Sequence, residues 1–174
     1  PKGAELIIVS GDGKAMLGPY TRANHHPSGQ LWTALLPGGD ALLQLKVPNG
    51  LQDKVRLELM RVGHGYRGFG ASNKYCKSGA CNMDVACLPS GNAWNAPRRA
   101  VAAITVGGTD TCTGSLVNNT AGNRRLLFAT ASHCGITDAN VAQVLVYFNY
   151  ESPTCRTPGS GSSGTPLPKP TTTL

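Results

Sequence analysis

One histidine, His133, has neighbours that could support chemistry. It lies in Phe128-Ala129-Thr130-Ala131-Ser132-His133-Cys134-Gly135, where an apolar run leads into small residues and then into the histidine and a cysteine. A histidine side chain gains and loses a proton near neutral pH, so it can take a proton from a hydroxyl group and return it to a leaving group. A second cysteine, Cys112, lies upstream, and a disulfide could close the unit between them. A histidine at a strand end in a disulfide-rich domain fits the same spacing, so the residues alone leave both interpretations open.

The elements that would position this histidine are predicted to be strands, because apolar residues alternate or cluster between turn-forming residues. The second half of the chain has candidate strands at residues 100–106, 112–117, 126–128 and 141–150, with a turn at 118–123. The first half has candidates at residues 5–10, 31–36, 43–47 and 55–62. Strands at this spacing are typical of a barrel or sandwich. We therefore predict an all-β protein that begins with a small antiparallel β unit.

Composition agrees with strands joined by tight turns. Only 14% of the 174 residues are charged, while 22 are glycine and 12 are proline, and this length can form one medium domain or two small ones. The formal net charge of +7 would favour acidic partners, but only Arg98-Arg99 and Arg124-Arg125 place basic residues side by side. Without a basic stripe that alternates with aromatic residues, no nucleic-acid partner is predicted.

The six cysteines lack zinc-ribbon spacing, which indicates disulfides, an oxidising compartment and secretion. No apolar run is long enough to span a membrane. A chain that opens at Pro1 without a methionine is expected to be a processed or excised piece.

Two further motifs carry no cofactor prediction. Residues 63–68 have the spacing of a dinucleotide-binding loop, but no helix pattern follows, and that helix is needed to hold the phosphate. The His25-His26 pair has no third ligand in a recognisable spacing, so a surface turn is expected and not a metal site. Metal binding through histidine and cysteine would require free thiols. Neither a metal nor a cofactor is therefore predicted.

Three motifs occur in an order that resembles a known family. They are Cys81-Asn82-Met83-Asp84-Val85-Ala86-Cys87, Cys112-Thr113-Gly114-Ser115-Leu116 and Thr130-Ala131-Ser132-His133-Cys134. Together they resemble the trypsin-like serine proteases of the chymotrypsin fold, in particular the secreted bacterial lysyl endopeptidases. The resemblance extends over roughly residues 81–156.

The resemblance implies roles for single residues. His133 is similar to the catalytic histidine, Cys112 is expected to pair with Cys134, and Cys87 is expected to pair with Cys155. In similar proteases the cysteine that matches Cys81 is bound to the second barrel, and Cys76 has no counterpart. Those two cysteines could pair with each other or remain as free thiols, and both alternatives stay open.

The resemblance also divides the chain. Residues 1–70 would be an N-terminal β extension similar to a propeptide, and residues 71–156 would begin a trypsin-like domain with an incomplete first β-barrel. Residues 157–174 are rich in glycine, serine and proline and are predicted to be a flexible loop or tail. Lys74 and Lys77 would be natural cleavage points for a protease specific for basic residues.

The catalytic aspartate and the serine of a Gly-Asp-Ser-Gly motif are not found among these residues. Asp110 and Asp138 lie in predicted turns, and Ser115 and Ser132 lack the turn that presents a nucleophile. The chain alone is therefore expected to be inactive, because the members of a triad act as a unit.

The leading hypothesis is the N-terminal part of a secreted, bacterial serine endopeptidase zymogen. With the missing C-terminal half of its protease domain, it would hydrolyse protein or peptide substrates, with cleavage after lysine or arginine as the nearest resemblance. The pocket that selects this residue belongs to the second barrel of such proteases. The alternative is a non-catalytic secreted β protein that keeps the disulfides and is used for binding.

Overall fold

The computed structural model describes residues 1–63, 83–108, 110–151, 154–155 and 172–173, and all structural statements concern these residues. The chain divides into two compact units, Pro1–Val62 and Gly63–Leu174. Each unit contains one antiparallel sheet. The prediction of an all-β protein is confirmed.

The first unit is a three-stranded sheet with the strand order β2-β1-β3. The strands are β1 (Glu5–Ser10), β2 (Met16–Tyr20) and β3 (Ala41–Lys46), and short 3-10 turns occur at Arg22–Asn24 and Gln52–Lys54. The central strand β1 has the predicted bounds, because its apolar run ends at the turn of Gly11-Asp12-Gly13. At that turn the Ser10 hydroxyl donates a hydrogen bond of 2.7 Å to the Asp12 carboxylate.

This first unit buries little apolar surface. Its buried hydrophobic residues are Leu6 and Ala34, and all six residues of β3 are exposed. Residues 31–36 and 55–62, which were predicted as strands, form none. Alternation of apolar residues is not sufficient for a strand, since the backbone also needs a neighbouring strand as hydrogen-bond partner.

The second unit is a five-stranded sheet with the order β6-β5-β4-β7-β8. Its strands are β4 (Val101–Val106), β5 (Asp110–Val117), β6 (Leu127–Thr130), β7 (Val144–Phe148) and β8 (Thr172–Thr173). The 3-10 turns lie at Val85–Cys87, Ala93–Asn95, Pro97–Ala100, Ser132–Cys134 and Val141–Gln143. The predicted strand at 141–150 therefore begins with a 3-10 turn and is shorter than expected.

The core of the second unit lies on the two central strands. Its buried members are Ala102, Ile104, Val106, Val144 and Val146, and the side chains of Cys112, Phe128, Ile136 and Phe148 pack against them. In the register of the sheet, Ile104 faces Cys112 on one side and Val146 on the other. Cys112 and Ile136 link this core to the segment that carries His133.

A disulfide between Cys87 and Cys155 joins the segment before β4 to the segment after β7. Arg98 and Glu151 form an ion pair of 3.7 Å between the same two segments. The pairing of Cys87 with Cys155 is the one that the resemblance implied.

Several predictions lie on residues outside the described part of the chain. These are the domain boundary near residue 70, Lys74, Lys77, Cys76, Cys81 and the loop at 64–68. Of the predicted tail at 157–174, the structure describes only Thr172–Thr173, which pairs with β7 as strand β8. No described helix has the length and apolar character needed to cross a membrane.

Candidate active site

His133 occupies the centre of a single 3-10 turn that follows β6. The turn spans Ser132–Cys134, and the backbone N–H of Cys134 donates to the carbonyl of Ala131 at 3.0 Å. Gly135 ends the turn with φ of 66°, a left-handed conformation that costs a glycine little. The side chain of His133 is exposed, so the fold leaves the ring open to solvent.

The disulfide between Cys112 and Cys134 fixes the turn to β5, with the two Cα atoms 6.1 Å apart. This is the pair that the resemblance implied. Because Cys112 also packs against the core, the turn is covalently tied to the most buried part of the unit. In the chain-entropy model a loop of this length is stabilised by about 3 kcal/mol.

Thr130, the last residue of β6, adds a polar connection to the same place. Its hydroxyl donates to the carbonyl of Thr113 at 2.8 Å and lies 3.3 Å from the sulfur of Cys134. The hydroxyl thus joins β6, β5 and the disulfide immediately before His133.

Gly114 is required for the close approach of β5 and β6. It lies opposite Thr130 in the register, and a Cβ atom there would come within 2.2 Å of the ring of Phe128. Phe128 in turn meets Phe148 edge to face, with ring centroids 6.3 Å apart. A side chain at residue 114 would therefore displace the aromatic pair that supports the start of the histidine segment.

Asn140 holds the chain on the other side of His133. Its side-chain carbonyl accepts a hydrogen bond of 2.7 Å from the backbone N–H of Thr137, and its amide donates to the carbonyl of Gly135 at 2.9 Å. Between these contacts Ile136 packs against the core. His133 therefore lies between two anchored segments, one on each side of the turn.

The described residues place no acid–base partner beside His133. The ring makes no printed hydrogen bond or ion pair within the described part of the chain, and Asp138 is exposed. The hydroxyl of Ser115 donates to the carbonyl of Leu116 at 3.2 Å. These side chains do not form a triad in this chain.

Cys112, His133 and Cys134 are the group of potential metal ligands that the described residues bring together, with donor atoms within 4.8 Å of one another. Their two sulfur atoms are bonded to each other, so neither is a thiolate ligand in this state. The second histidine pair forms a surface turn, in which the Nδ1 atom of His26 lies 2.7 Å from the hydroxyl of Ser28.

Sequence reasoning missed Thr130 and Asn140. A threonine at a strand end is common, and its bond to Thr113 depends on the register of two strands. The short spacing of Thr137 and Asn140 was a usable signal, since asparagine side chains often cap nearby backbone N–H groups. The bond to Gly135 could not be read in this way, because it depends on how the turn folds back.

Comparison with known proteins identifies the family. A family model described as the C-terminal domain of lysyl endopeptidase matches residues 75–172, which is more than half of the chain. A lysyl endopeptidase of Pseudomonas aeruginosa is 29% identical over 170 residues, covering 88% of this chain and 33% of the relative. The chain thus spans about a third of the length of the curated relative that it matches. The matched region contains His133 and both disulfides, and the chain belongs to the lysyl endopeptidase family.

Proposed function

We propose that this chain is the N-terminal part of a secreted serine endopeptidase precursor, in which His133 is the general base and then the general acid. The observation that carries this proposal is the family match over residues 75–172, which includes the disulfide-bonded turn of His133. Protein or peptide substrates follow from the same family relation.

The chemistry assigned to His133 is proton transfer. One ring nitrogen takes the proton from a serine hydroxyl as the oxygen attacks the peptide carbonyl, and the imidazolium then gives that proton to the leaving amine. The ring must hold one position through both steps, because a misplacement of about 1 Å is enough to slow such a reaction about a hundredfold. The disulfide of Cys112 and Cys134 and the two bonds of Asn140 support this requirement.

The serine and the orienting aspartate would come from a part of the precursor outside these 174 residues. The isolated chain is accordingly expected to hydrolyse no peptide bond by a triad mechanism. Cleavage after lysine is the specificity that the name of the relative suggests, with arginine as the second basic candidate.

The first unit, Pro1–Val62, is proposed to act as a propeptide that assists folding or covers the active site. Lys74 and Lys77 follow it in the sequence and would allow a lysine-specific protease to separate it from the domain that carries His133. Two disulfides in the structure support an oxidising, extracellular location.

The test uses the full-length precursor and lysine and arginine p-nitroanilides. We expect hydrolysis that falls by at least about 10⁴-fold in His133→Ala. His25→Ala is the matched control, because His25 is an exposed histidine of the first unit, and it should keep full activity. Equal rates for wild type and His133→Ala would refute the proposal and favour a non-catalytic binding protein.

A further inference from the structure

We infer that reduction of the Cys112–Cys134 disulfide converts the histidine turn into a zinc site, with Cys112, His133 and Cys134 as ligands. Two thiolates and one imidazole are a donor set that Zn²⁺ prefers, and catalytic sites with this set leave a fourth position for water. The oxidised chain shows the same three residues as a disulfide beside a histidine. The inference concerns metal binding and stands apart from the proposed protease activity.

The distances are close to those of such a site before any rearrangement. One donor atom from each residue lies within 4.8 Å of the other two. Around a tetrahedral zinc ion the sulfur atoms would be about 3.8 Å apart, and each would be about 3.5 Å from the nitrogen. Side-chain rotation that separates the sulfurs and draws in the ring would reach this arrangement, since the Cα atoms of the two cysteines are already 6.1 Å apart.

The surroundings suit a metal ion at this position. His133 is exposed and Cys134 is partly exposed, so an ion and a water ligand can reach the turn. The hydroxyl of Thr130 lies 3.3 Å from the sulfur of Cys134 and can turn its proton from the carbonyl of Thr113 toward that sulfur. A hydrogen bond from outside the ligand set stabilises a thiolate and orients it for the metal.

The reaction needs a thiol reductant. Two thiols of the reductant each lose a proton and an electron and form a new disulfide, while the bond between Cys112 and Cys134 breaks and each cysteine gains one hydrogen. Zn²⁺ then displaces two protons as it binds both sulfurs and one nitrogen of His133. Binding therefore depends on the redox state and on pH.

If His133 is the general base, a zinc ion on its nitrogen would block proton transfer. This consequence depends on the proposed function. Reduction followed by zinc would then switch off hydrolysis, and removal of zinc with reoxidation would restore it.

The other disulfide provides a matched control. Cys87 and Cys155 form an equivalent covalent bond, but among the described residues no histidine joins them in a group of three ligands. Removal of that pair should leave the zinc site intact, whereas removal of Cys112 and Cys134 should abolish it.

The test uses this 174-residue chain with Cys76→Ser and Cys81→Ser, since those two cysteines could also bind metal. The protein is reduced with a phosphine under argon and titrated with Co²⁺ and then with Zn²⁺. We expect the sulfur-to-cobalt charge-transfer band and the visible bands of tetrahedral Co²⁺, both lost when Zn²⁺ is added, and no such bands before reduction.

The variants separate the ligands. His133→Ala should weaken the metal affinity by about tenfold or more, and because this side chain is exposed the variant should fold. The Cys87→Ser, Cys155→Ser double variant should bind as the parent does. A reduced parent without the cobalt bands, or one whose affinity is unchanged by His133→Ala, would overturn the inference.

A kinetic arm on the full-length precursor distinguishes the two proposals. Inhibition by Zn²⁺ only after reduction, reversed by chelation and reoxidation, supports both. A precursor that never hydrolyses the p-nitroanilides refutes the proposed function and leaves the cobalt result as the test of the metal site.

Discussion

The two units of the chain bury very different amounts of apolar surface. The first has three strands, no cysteine, and only Leu6 and Ala34 as buried hydrophobic residues. The second has five strands, a core of five fully or nearly buried aliphatic residues and two disulfides. The difference indicates that local rigidity is concentrated in the unit that carries His133, while the first unit can unfold or be removed at little cost.

The largest test of this difference removes core volume from each unit. Ile104 has no exposed surface, whereas Leu43 in β3 is 40% exposed. We expect Ile104→Ala to lower the free energy of unfolding by about 4 kcal/mol, because it leaves a cavity between packed strands. Leu43→Ala should cost less than about 1 kcal/mol. Urea denaturation of both variants checks this, and equal losses would remove the distinction between the units.

A smaller effect is expected from Asn140→Ala, which deletes the bonds to Thr137 and Gly135. Each bond contributes about 1 kcal/mol, so the variant should lose about 1–2 kcal/mol and loosen the turn of His133. Asn140→Asp is the matched control, because it keeps the acceptor for Thr137 and loses the donor for Gly135.

Nuclear magnetic resonance of the His133 ring should show increasing line broadening from wild type to Asn140→Asp to Asn140→Ala. Unchanged ring signals in Asn140→Ala would mean that the disulfide alone holds the turn.

The smallest expected effect concerns the turn that follows β1. The hydrogen bond from the Ser10 hydroxyl, followed by that from the Lys14 backbone, lowers the pKa of Asp12 below its ordinary value. A lowered pKa in the folded state stabilises the unit above the unfolded pKa of about 3.9, and this stability is lost as the pH falls through the folded pKa.

Asp12→Asn should therefore make the urea midpoint slightly less dependent on pH below about pH 4. The exposed position of Asp12 keeps the change small. Identical pH profiles for wild type and Asp12→Asn would contradict the assignment.

How far the sequence predicts this fold differs from one element to another. The apolar run of β1 lies between turn residues, so its bounds could be predicted from the pattern alone. Residues 55–62 alternate equally well, yet they form no strand, because pairing depends on which edge of a sheet is available. Local pattern gives a strand's tendency, and the neighbouring strand decides whether it forms.

The site was predictable in part. The two disulfide pairs followed from the family motifs, since spacing alone allows several connectivities for six cysteines. The roles of Thr130 and Asn140 depend on strand register and on a folded-back turn, which the sequence does not display. The catalytic role of His133 stays a prediction that rests on the family.

The central claim is that the disulfide to the core holds the turn of His133, and hydrogen exchange of Cys112→Ala tests it most directly. We expect amide exchange at residues 130–136 to accelerate, while exchange in Glu5–Ser10 of the first unit stays as in wild type. Equal acceleration in both regions would contradict the claim, because it would show that the disulfide stabilises the chain as a whole and not the segment that carries the histidine.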